Sequence, residues 1–405
     1  MTSIENKQTL YASYLLLGLL MSIPVSPVLT SLFELAVYVL FLATPELRRR
    51  FISTLSQPMV TSGLLLCSFI VLSSLWSPAP WEEKLEHIIS WRKVLLLPIA
   101  ASLFYSPKLK QIFLVTFIIS MSCFAIVSWA AYLFDLQLFN KQPNNLLRNH
   151  ATQGIVFFVA AFSSITLLLY QKGLSTLVKI TCVIACIALL SNCFFIVTSR
   201  SAYVAGLIFV ICTTIYAKRK KIILLMPIVC LIFVSILYLS PTPHYQIKKV
   251  WTEIAEINEN PTITSSGARV IFWQNTLSIL QDTPLTGHGL KSMALEYKKE
   301  ISGKSGWEST ITRDPHNQYL LILVEQGAVG LIIFFCFIFY CVKQKPERIY
   351  THIGRSVLLV WLGNSMFNGH FSASVEGKFI FLWCGAMLAT PPSKNLKARH
   401  DNHLN

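Results

Sequence analysis

The sequence predicts an all-α membrane protein, a polytopic bundle of about twelve spans with a helical domain on one face of the membrane. Hydrophobic residues make up 54% of the 405 residues, whereas only 13% are charged. A soluble domain of this length needs far more charge to cover its surface. Apolar runs of membrane-spanning length also recur from end to end of the chain, which indicates a helical bundle in a bilayer.

The predicted spans follow these apolar runs. The first run begins soon after Lys7, and no small-residue cleavage site follows it, so we expect a retained helix and not a signal peptide. The first, second and eleventh spans are short for a crossing of about 20 residues. The twelve predicted spans are 10–24, 27–43, 58–75, 87–105, 112–134, 151–170, 177–198, 201–217, 222–240, 319–342, 354–367 and 375–390.

Lysine and arginine cluster in alternate loops between these spans and again in the C-terminal tail. Because basic loops mark the cytoplasmic side of a membrane, we expect both termini in the cytoplasm. The longest polar segment then lies in the periplasm of a bacterium with two membranes. The predicted domains are nine membrane helices in 1–240, a large periplasmic loop domain in 241–315, three membrane helices in 316–392 and a basic cytoplasmic tail in 393–405.

The periplasmic segment has the pattern of a folded lid over the bundle. Three stretches within it, 246–257, 268–280 and 290–301, each read as a short amphipathic helix. The sequence 282–289, DTPLTGHG, supplies the proline and glycine residues of a turn between the last two.

Charge and cysteine usage exclude several functions. Lysine and arginine outnumber aspartate and glutamate by 34 to 19, but much of the excess falls in short loops between spans, so it signals topology and not nucleic-acid binding. All ten cysteines lie in or beside apolar runs. This placement argues against a disulfide framework and against a zinc site.

Two arginines are candidates for binding an anion on the periplasmic side. Arg200 lies in TSRSAYVA, where one apolar run ends and the next begins. Because an arginine at membrane depth is costly, its presence indicates either a function or a side chain that extends to the membrane surface. Arg269 follows a Ser-Ser-Gly turn at the start of a lid helix. A cation there opposes the helix dipole, so it needs an anion, either a bound phosphate or a nearby acid such as Glu253 or Glu256.

His316 is the candidate general base, because it opens the tenth span beneath the lid and an imidazole titrates near neutral pH. His244, His288 and His370 are predicted on the same side, and composition alone does not choose among the four. Asp314 is placed to orient His316 or Arg313. The outer face has no Asp-x-Asp pair for a divalent metal and no nucleophile elbow, so neither a metal site nor a covalent acyl-enzyme is predicted.

The motifs resemble those of the O-antigen ligase family. His316 and Asn317, nine further residues, Gly327, two residues and Gly330 resemble its His-Asn-x9-Gly-x-x-Gly pattern. TSRSAYVA resembles its arginine segment, and the stretch that begins SSGARVIFWQNTL resembles the entry to its periplasmic loop. Trp273 departs from the family's Arg-x-x-x-Leu spacing. The resemblance covers 196–331.

The resemblance implies an inverting, metal-independent glycosyltransferase of the C type in the bacterial inner membrane, with no cofactor. Its donor is a glycan on undecaprenyl pyrophosphate, and its acceptor is a sugar hydroxyl of the lipid A–core. It also implies that Arg200 and Arg269 stabilise the departing pyrophosphate and that His316 takes the acceptor's proton. Asn317, Gly327, Arg148 and Arg92 are further candidates for substrate binding, and the surrounding membrane lipids complete the set of expected partners.

Three alternatives remain open. An O-antigen polymerase uses the same donor and chemistry with a second lipid-linked glycan as acceptor, but polymerases more often divide their polar mass between two loops. A protein-glycosylating oligosaccharyltransferase usually carries more periplasmic sequence after the last spans. A transporter or flippase for lipid-linked sugars is expected to have repeated halves and charges near mid-membrane, and neither is evident here.

Overall fold

A computed structural model describes residues 3–138, 141–216, 226–255 and 264–390 of the chain. Within these ranges the chain forms α-helices and short 3-10 turns and no β-strand, which confirms the prediction of an all-helical protein. One of the basic loops between the predicted spans, AKRKK at 217–221, and the basic tail at 393–405 lie outside the described residues. The α-helices are α1 (Ser3–Ser22), α2 (Pro27–Ala43), α3 (Pro45–Thr54), α4 (Pro58–Leu72), α5 (Trp81–Ser90), α6 (Leu96–Leu103), α7 (Pro107–Leu133), α8 (His150–Tyr170), α9 (Thr176–Phe195), α10 (Arg200–Tyr216), α11 (Met226–Leu239), α12 (Pro241–Ala255), α13 (Ser265–Ile279), α14 (Met293–Glu300), α15 (Gln318–Lys343), α16 (Arg348–Asn364) and α17 (Ser374–Leu388).

Several of these helices are long and apolar enough to cross a membrane. By length and composition the described residues contain 5 such helices, or up to 7 if each of two bent pairs is one span. The bent pairs are α2 with α3, which meet at 99°, and α11 with α12, which meet at 90°. A helical membrane protein is therefore supported, whereas the number of about twelve spans stays a prediction.

Local signals at the helix starts explain where the long helices begin. Ser26, Ser106 and Ser175 each precede a helix and accept a hydrogen bond from the backbone N–H three residues on, and Asn149 does the same for Thr152 at 2.7 Å. These caps satisfy N–H groups that the helix itself leaves free. Proline follows directly at position 27 and at position 107, where its fixed φ suits the first helical turn.

One predicted span is interrupted. The segment 87–105 was expected to be a continuous helix, but α5 ends at Ser90, a 3-10 turn covers Trp91–Leu95, and only α6 continues. The turn brings the buried Lys93 against the loop before α17, where its Nζ donates to the carbonyl oxygens of Ser372 at 2.6 Å and Ala373 at 3.0 Å. A lysine inside an apolar region needs such acceptors, so the break positions this side chain.

The lid, defined as residues 241–255 and 264–315, is built from α12, α13 and α14. These helices lie where the three amphipathic stretches were predicted, although α12 begins earlier, at Pro241. The lid has a small core of its own, which rests on the first turns of α15. This core consists of Phe272, Ile279, Met293, Tyr297 and Ile301 of the lid with Leu321 and Val324 of α15.

Helix α15 is broken at Gly327, whose φ of 67° and ψ of −167° are not helical. The loop between α13 and α14 enters this break and takes over the hydrogen bonds that the helix has lost. Three backbone bonds join them: His288 N–H to Val324 O at 2.9 Å, Gly289 N–H to Glu325 O at 2.8 Å, and Val329 N–H to Leu285 O at 3.1 Å. A side chain at position 327 would collide with the backbone of Leu285 and Gly287, which explains the glycine.

We predict that Gly327→Ala lowers the free energy of unfolding by about 2–4 kcal/mol, because it adds a collision with the docked loop to the strain of a positive φ. Gly303→Ala is the matched control, since Gly303 also has a positive φ, of 87°, but nothing lies within 4 Å of the added carbon. The control is expected to lose about 1 kcal/mol. Unfolding midpoints of the two purified variants in the same detergent measure the difference, and equal losses would contradict the docking argument.

Candidate functional site

Arg200 stands at the first residue of α10 and joins that helix to the lid. Its Nη1 donates to Glu253 Oε2 at 3.1 Å and to Ser266 Oγ at 2.7 Å, and its Nη2 donates to Glu253 Oε1 at 3.3 Å. The Ser266 backbone N–H also donates to Glu253 Oε2, at 3.3 Å. The Glu253 side chain is only 8% exposed and that of Arg200 is 28% exposed. A two-armed ion pair of this kind fixes the planar guanidinium in one orientation.

Arg269 lies beside this pair, in the first turns of α13. Its Nη1 donates to the carbonyl and the hydroxyl oxygen of Ser265, each at 2.9 Å. Its Nε is buried and has no hydrogen-bond partner among the described residues. Burial and the neighbouring Arg200 lower the pKa of the Arg269 guanidinium, whereas Glu253 and Asp314 act in the opposite direction. Arg269 therefore keeps at least one donor, Nε–H, that the described residues around it do not use.

His316 lies directly before the capping residue of α15 and has a left-handed backbone, with φ of 54°. Asp314 holds this turn, because its Oδ1 accepts the His316 backbone N–H at 2.7 Å. Trp273 of α13 donates its indole N–H to Pro315 O at 3.0 Å, and the ring of Phe272 stacks near the imidazole with centroids 6.0 Å apart. The strained backbone at His316 is thus held by Asp314 within the turn and by Trp273 of α13, and such supported strain is common at residues with a functional role.

Asn368 holds the imidazole from the loop between α16 and α17. His316 Nδ1 lies 3.3 Å from Asn368 Oδ1, and the same oxygen accepts the Gly369 backbone N–H at 3.1 Å. That second bond fixes which amide atom faces the histidine. Because an amide oxygen only accepts, the proton of the neutral imidazole belongs on Nδ1, and Nε2 keeps its free lone pair. This is the tautomer that a general base needs.

The structure gives the four further substrate-binding candidates contacts within the protein. Asn317 caps α15, and its Oδ1 accepts the N–H groups of Tyr319 and Leu320. Gly327 forms the break described above. Arg92 donates to Glu34 Oε2 at 3.2 Å, beside Lys378 at 2.7 Å. The backbone N–H of Arg148 donates to Pro24 O at 3.0 Å. Their roles toward a substrate stay predictions.

Of the other three histidines, His370 is the most unusual. It is 3% exposed, packs on Trp361 with ring centroids 5.0 Å apart, and neither ring nitrogen has a hydrogen-bond partner in the described part of the chain. Burial lowers the pKa of His370 to about 4, so the ring is neutral at neutral pH. His288 bonds to Thr283, and His244 packs on Tyr238. Only His316 among the four has the Asp314 and Asn368 supports.

Sequence reasoning missed two contributors and assigned a third differently. Asn368 follows His316 by 52 positions, and no spacing rule links the two. Trp273 looked like a departure from a motif, but its indole supports the turn that holds His316. Glu253 was considered as a partner of Arg269, whereas the structure pairs it with Arg200. Among the described residues no three histidine, cysteine, aspartate or glutamate side chains come together as a metal-binding group.

These features define a class: an all-helical protein with membrane-length helices, in which two neighbouring arginines and a supported histidine lie where a lid joins the helix ends. Within this chain, residues 184–335 match the model of the O-antigen ligase family. The predicted resemblance is therefore confirmed over that segment, which contains Arg200, Arg269 and His316 but not Arg92, Arg148 or Asn368.

A relative in Haemophilus influenzae extends this comparison. It is described as an uncharacterized protein and is 26% identical over 140 residues. The match covers 33% of this chain and 35% of the relative, so the chain spans about a third of that protein's length.

We predict that Glu253→Gln lowers the free energy of unfolding by about 2 kcal/mol, since it leaves the Arg200 guanidinium half-buried without its counter-charge. Glu296→Gln on α14 is the control, because its partner Lys299 is 69% exposed and such pairs contribute about 0–1 kcal/mol. The unfolding midpoint of each variant at low and at moderate salt measures the loss. A Glu253 variant as stable as the control would show that the pair does not hold the lid.

Proposed function

We propose that the protein is an O-antigen ligase, a glycosyltransferase that moves a polysaccharide from undecaprenyl pyrophosphate to a sugar hydroxyl of the lipid A–core. We place this reaction at the periplasmic side of the inner membrane of a Gram-negative bacterium. The observation that carries the proposal is an imidazole held through Nδ1, with its Nε2 lone pair left for a proton, near the helix that bears a guanidinium whose buried Nε has no acceptor among the described residues. The family match over 184–335 supports it.

In this reaction the acceptor hydroxyl oxygen forms a bond to C1 of the donor sugar while the bond from C1 to the pyrophosphate oxygen breaks. The electron pair of the broken bond leaves with the pyrophosphate. The hydroxyl proton passes to His316 Nε2, and Asn368 holds Nδ1 so that Nε2 points away from the loop. Attack from the face opposite the leaving group inverts the configuration at C1.

The two arginines have different parts in this proposal. Arg269, whose Nε has no acceptor among the described residues, contacts the leaving pyrophosphate directly, where charge grows as the bond breaks. Arg200 is paired with Glu253 and mainly fixes the lid against α10. Its charge and that of Glu253 act on the Arg269 guanidinium in opposite directions. The guanidinium groups supply the charge that a divalent metal supplies in other transferases, so we propose a metal-independent reaction.

We predict that Arg269→Ala lowers activity more than Arg200→Ala does, relative to each variant's folded amount, because the Arg200 guanidinium is paired with Glu253, whereas Arg269 has a buried Nε without an acceptor in the described part of the chain. The expected loss for Arg269→Ala is about a hundredfold or more in kcat. Arg348→Ala is a control, since that guanidinium packs over the ring of Tyr216 and donates to its carbonyl oxygen. Ligation of purified lipid-linked glycan to lipid A–core measures the rates, and equal losses at the two positions would contradict the division of roles.

We predict that Asn368→Ala lowers kcat by about tenfold or more with little change in KM, because the imidazole loses its orientation and tautomer but no substrate contact is removed. Asn368→Asp should restore most of the rate. A carboxylate beside Nδ1 also stabilises the imidazolium, so the acid limb of its pH–rate profile is expected at higher pH than in the wild type. A purely structural role for Asn368 predicts neither the rescue nor the displaced profile.

Lipopolysaccharide profiles test the proposed reaction itself. A strain that lacks the protein is complemented with wild type, His316→Ala or His244→Ala at matched membrane levels. His244 is a fair control because its ring packs on Tyr238 at the start of α12. A ligase predicts bare core in the null strain with lipid-linked polymer retained, and a full ladder restored by wild type and by the control but not by His316→Ala.

Other gel patterns would overturn the proposal in favour of a named alternative. Core capped with a single repeat in the null strain identifies a polymerase. Loss of the lipid-linked polymer from the periplasmic side identifies a transporter. A full ladder with His316→Ala excludes His316 as the base.

A further inference from the structure

Helix α12 leaves the end of α11 at a right angle and has two different faces. One face lies against the protein, where Glu253 binds Arg200 and where α12 contacts α9, α10 and α13. Thr242 in its first turn donates its hydroxyl to Phe195 O at 2.9 Å and so ties the bend to the end of α9. The direction of α12 is therefore set by contacts with α9 and α10 as well as with the rest of the lid.

The opposite face of α12 is apolar and exposed. Trp251 is 71% exposed, Ile247 one turn earlier is 37% exposed, and Tyr245 is 62% exposed. Lys248 is exposed beside them. At the bend, Tyr238 and Leu239 at the end of α11 are 65% and 80% exposed, so apolar side chains are exposed on both sides of the bend.

The residues on the outward face of α12 indicate that its partner is the surface of the membrane. A helix with tryptophan and isoleucine on one face, lysine at its border and a right-angle turn out of an apolar helix has the features of a helix that lies in the membrane interface. Tryptophan and tyrosine rings prefer the headgroup region, where one end of the ring is apolar and the other is hydrated. A lysine at that depth meets lipid phosphates, and anionic headgroups attract it most strongly.

We propose that the outward face of α12, formed by Tyr245, Ile247, Lys248 and Trp251, lies in the headgroup region of the bilayer and binds anionic phospholipid headgroups. In this arrangement the outward face of α12 contacts the lipid headgroups, while Glu253 on its inward face binds Arg200. The same helix therefore ties the depth of the membrane surface to the position of the Arg200 pair, whatever reaction the protein performs.

Position-dependent fluorescence quenching tests the depth of Trp251. The full-length protein is reconstituted in vesicles of phosphatidylcholine and phosphatidylglycerol, with bromine placed either near the headgroup or near the bilayer centre. The Trp251 signal is the difference between wild type and Trp251→Phe. We expect the shallow bromine to quench this difference about twofold or more better than the deep bromine, with little quenching by aqueous acrylamide.

Each other pattern overturns the proposal. Stronger quenching by the deep bromine places α12 across the membrane, and quenching by acrylamide alone places it in water. Trp361→Phe serves as the matched control, because Trp361 is 1% exposed and its difference signal should respond to none of the quenchers.

The headgroup part of the proposal has its own test. Shallow quenching of the Trp251 difference should weaken when phosphatidylglycerol is replaced by phosphatidylcholine, and Lys248→Gln should remove that dependence on anionic lipid. Shallow quenching that is the same in both lipid compositions would overturn the binding of anionic headgroups.

Discussion

The position of the candidate site depends on the docking of the loop 285–289 into the break of α15. A helix interrupted within an apolar bundle leaves backbone N–H and C=O groups that have no water to bond with. The loop satisfies them, and the glycine at 327 is what allows its backbone to come close enough. The residue after this loop, Leu290, contacts the turn formed by Ser73–Ser77, where Ser77 Oγ donates to Leu290 O at 2.5 Å. The lid is therefore fastened both to α15 and to the turn that follows α4.

This fastening fixes the histidine relative to the arginine of the lid. His316 lies directly before Asn317, the capping residue of α15, and the small lid core packs on the first turns of the same helix. Helix α13 contributes Phe272 to that core and Trp273 to the Pro315 carbonyl, so Arg269 on the same helix is held at a set distance from His316. Packed helices transmit position better than loops do, which suits a site that must align two reacting groups.

The fold and parts of the site were predictable from sequence for different physical reasons. Apolar runs, serine and asparagine caps and the prolines after them are local signals, and the helices begin where these signals stand. The interruption at Trp91–Leu95 was not predictable, because it depends on carbonyl groups of a loop that is 280 positions away from Lys93. The support of His316 by Asn368 was also not predictable, because the two residues are 52 positions apart in the sequence. Arg200 stood out because a charged group at membrane depth is costly, and Arg269 because a cation at a helix start opposes the helix dipole. His316 stood out because it opens a span on the face that carries the lid.

The Arg200 pair shows why the arginines of this site need not act alike. Two guanidiniums close together repel each other, and the buried Glu253 offsets one of the two charges. The remaining positive charge is concentrated at Arg269, whose Nε has no acceptor in the ranges that the structure describes. A site with both arginines neutralised would have little affinity for an anion, and a site with neither neutralised would place two unpaired charges in a region of low polarity. One paired and one unpaired arginine therefore allow both a stable lid and a strong anion site. The acid of the pair, Glu253, lies on α12, whose opposite face is exposed.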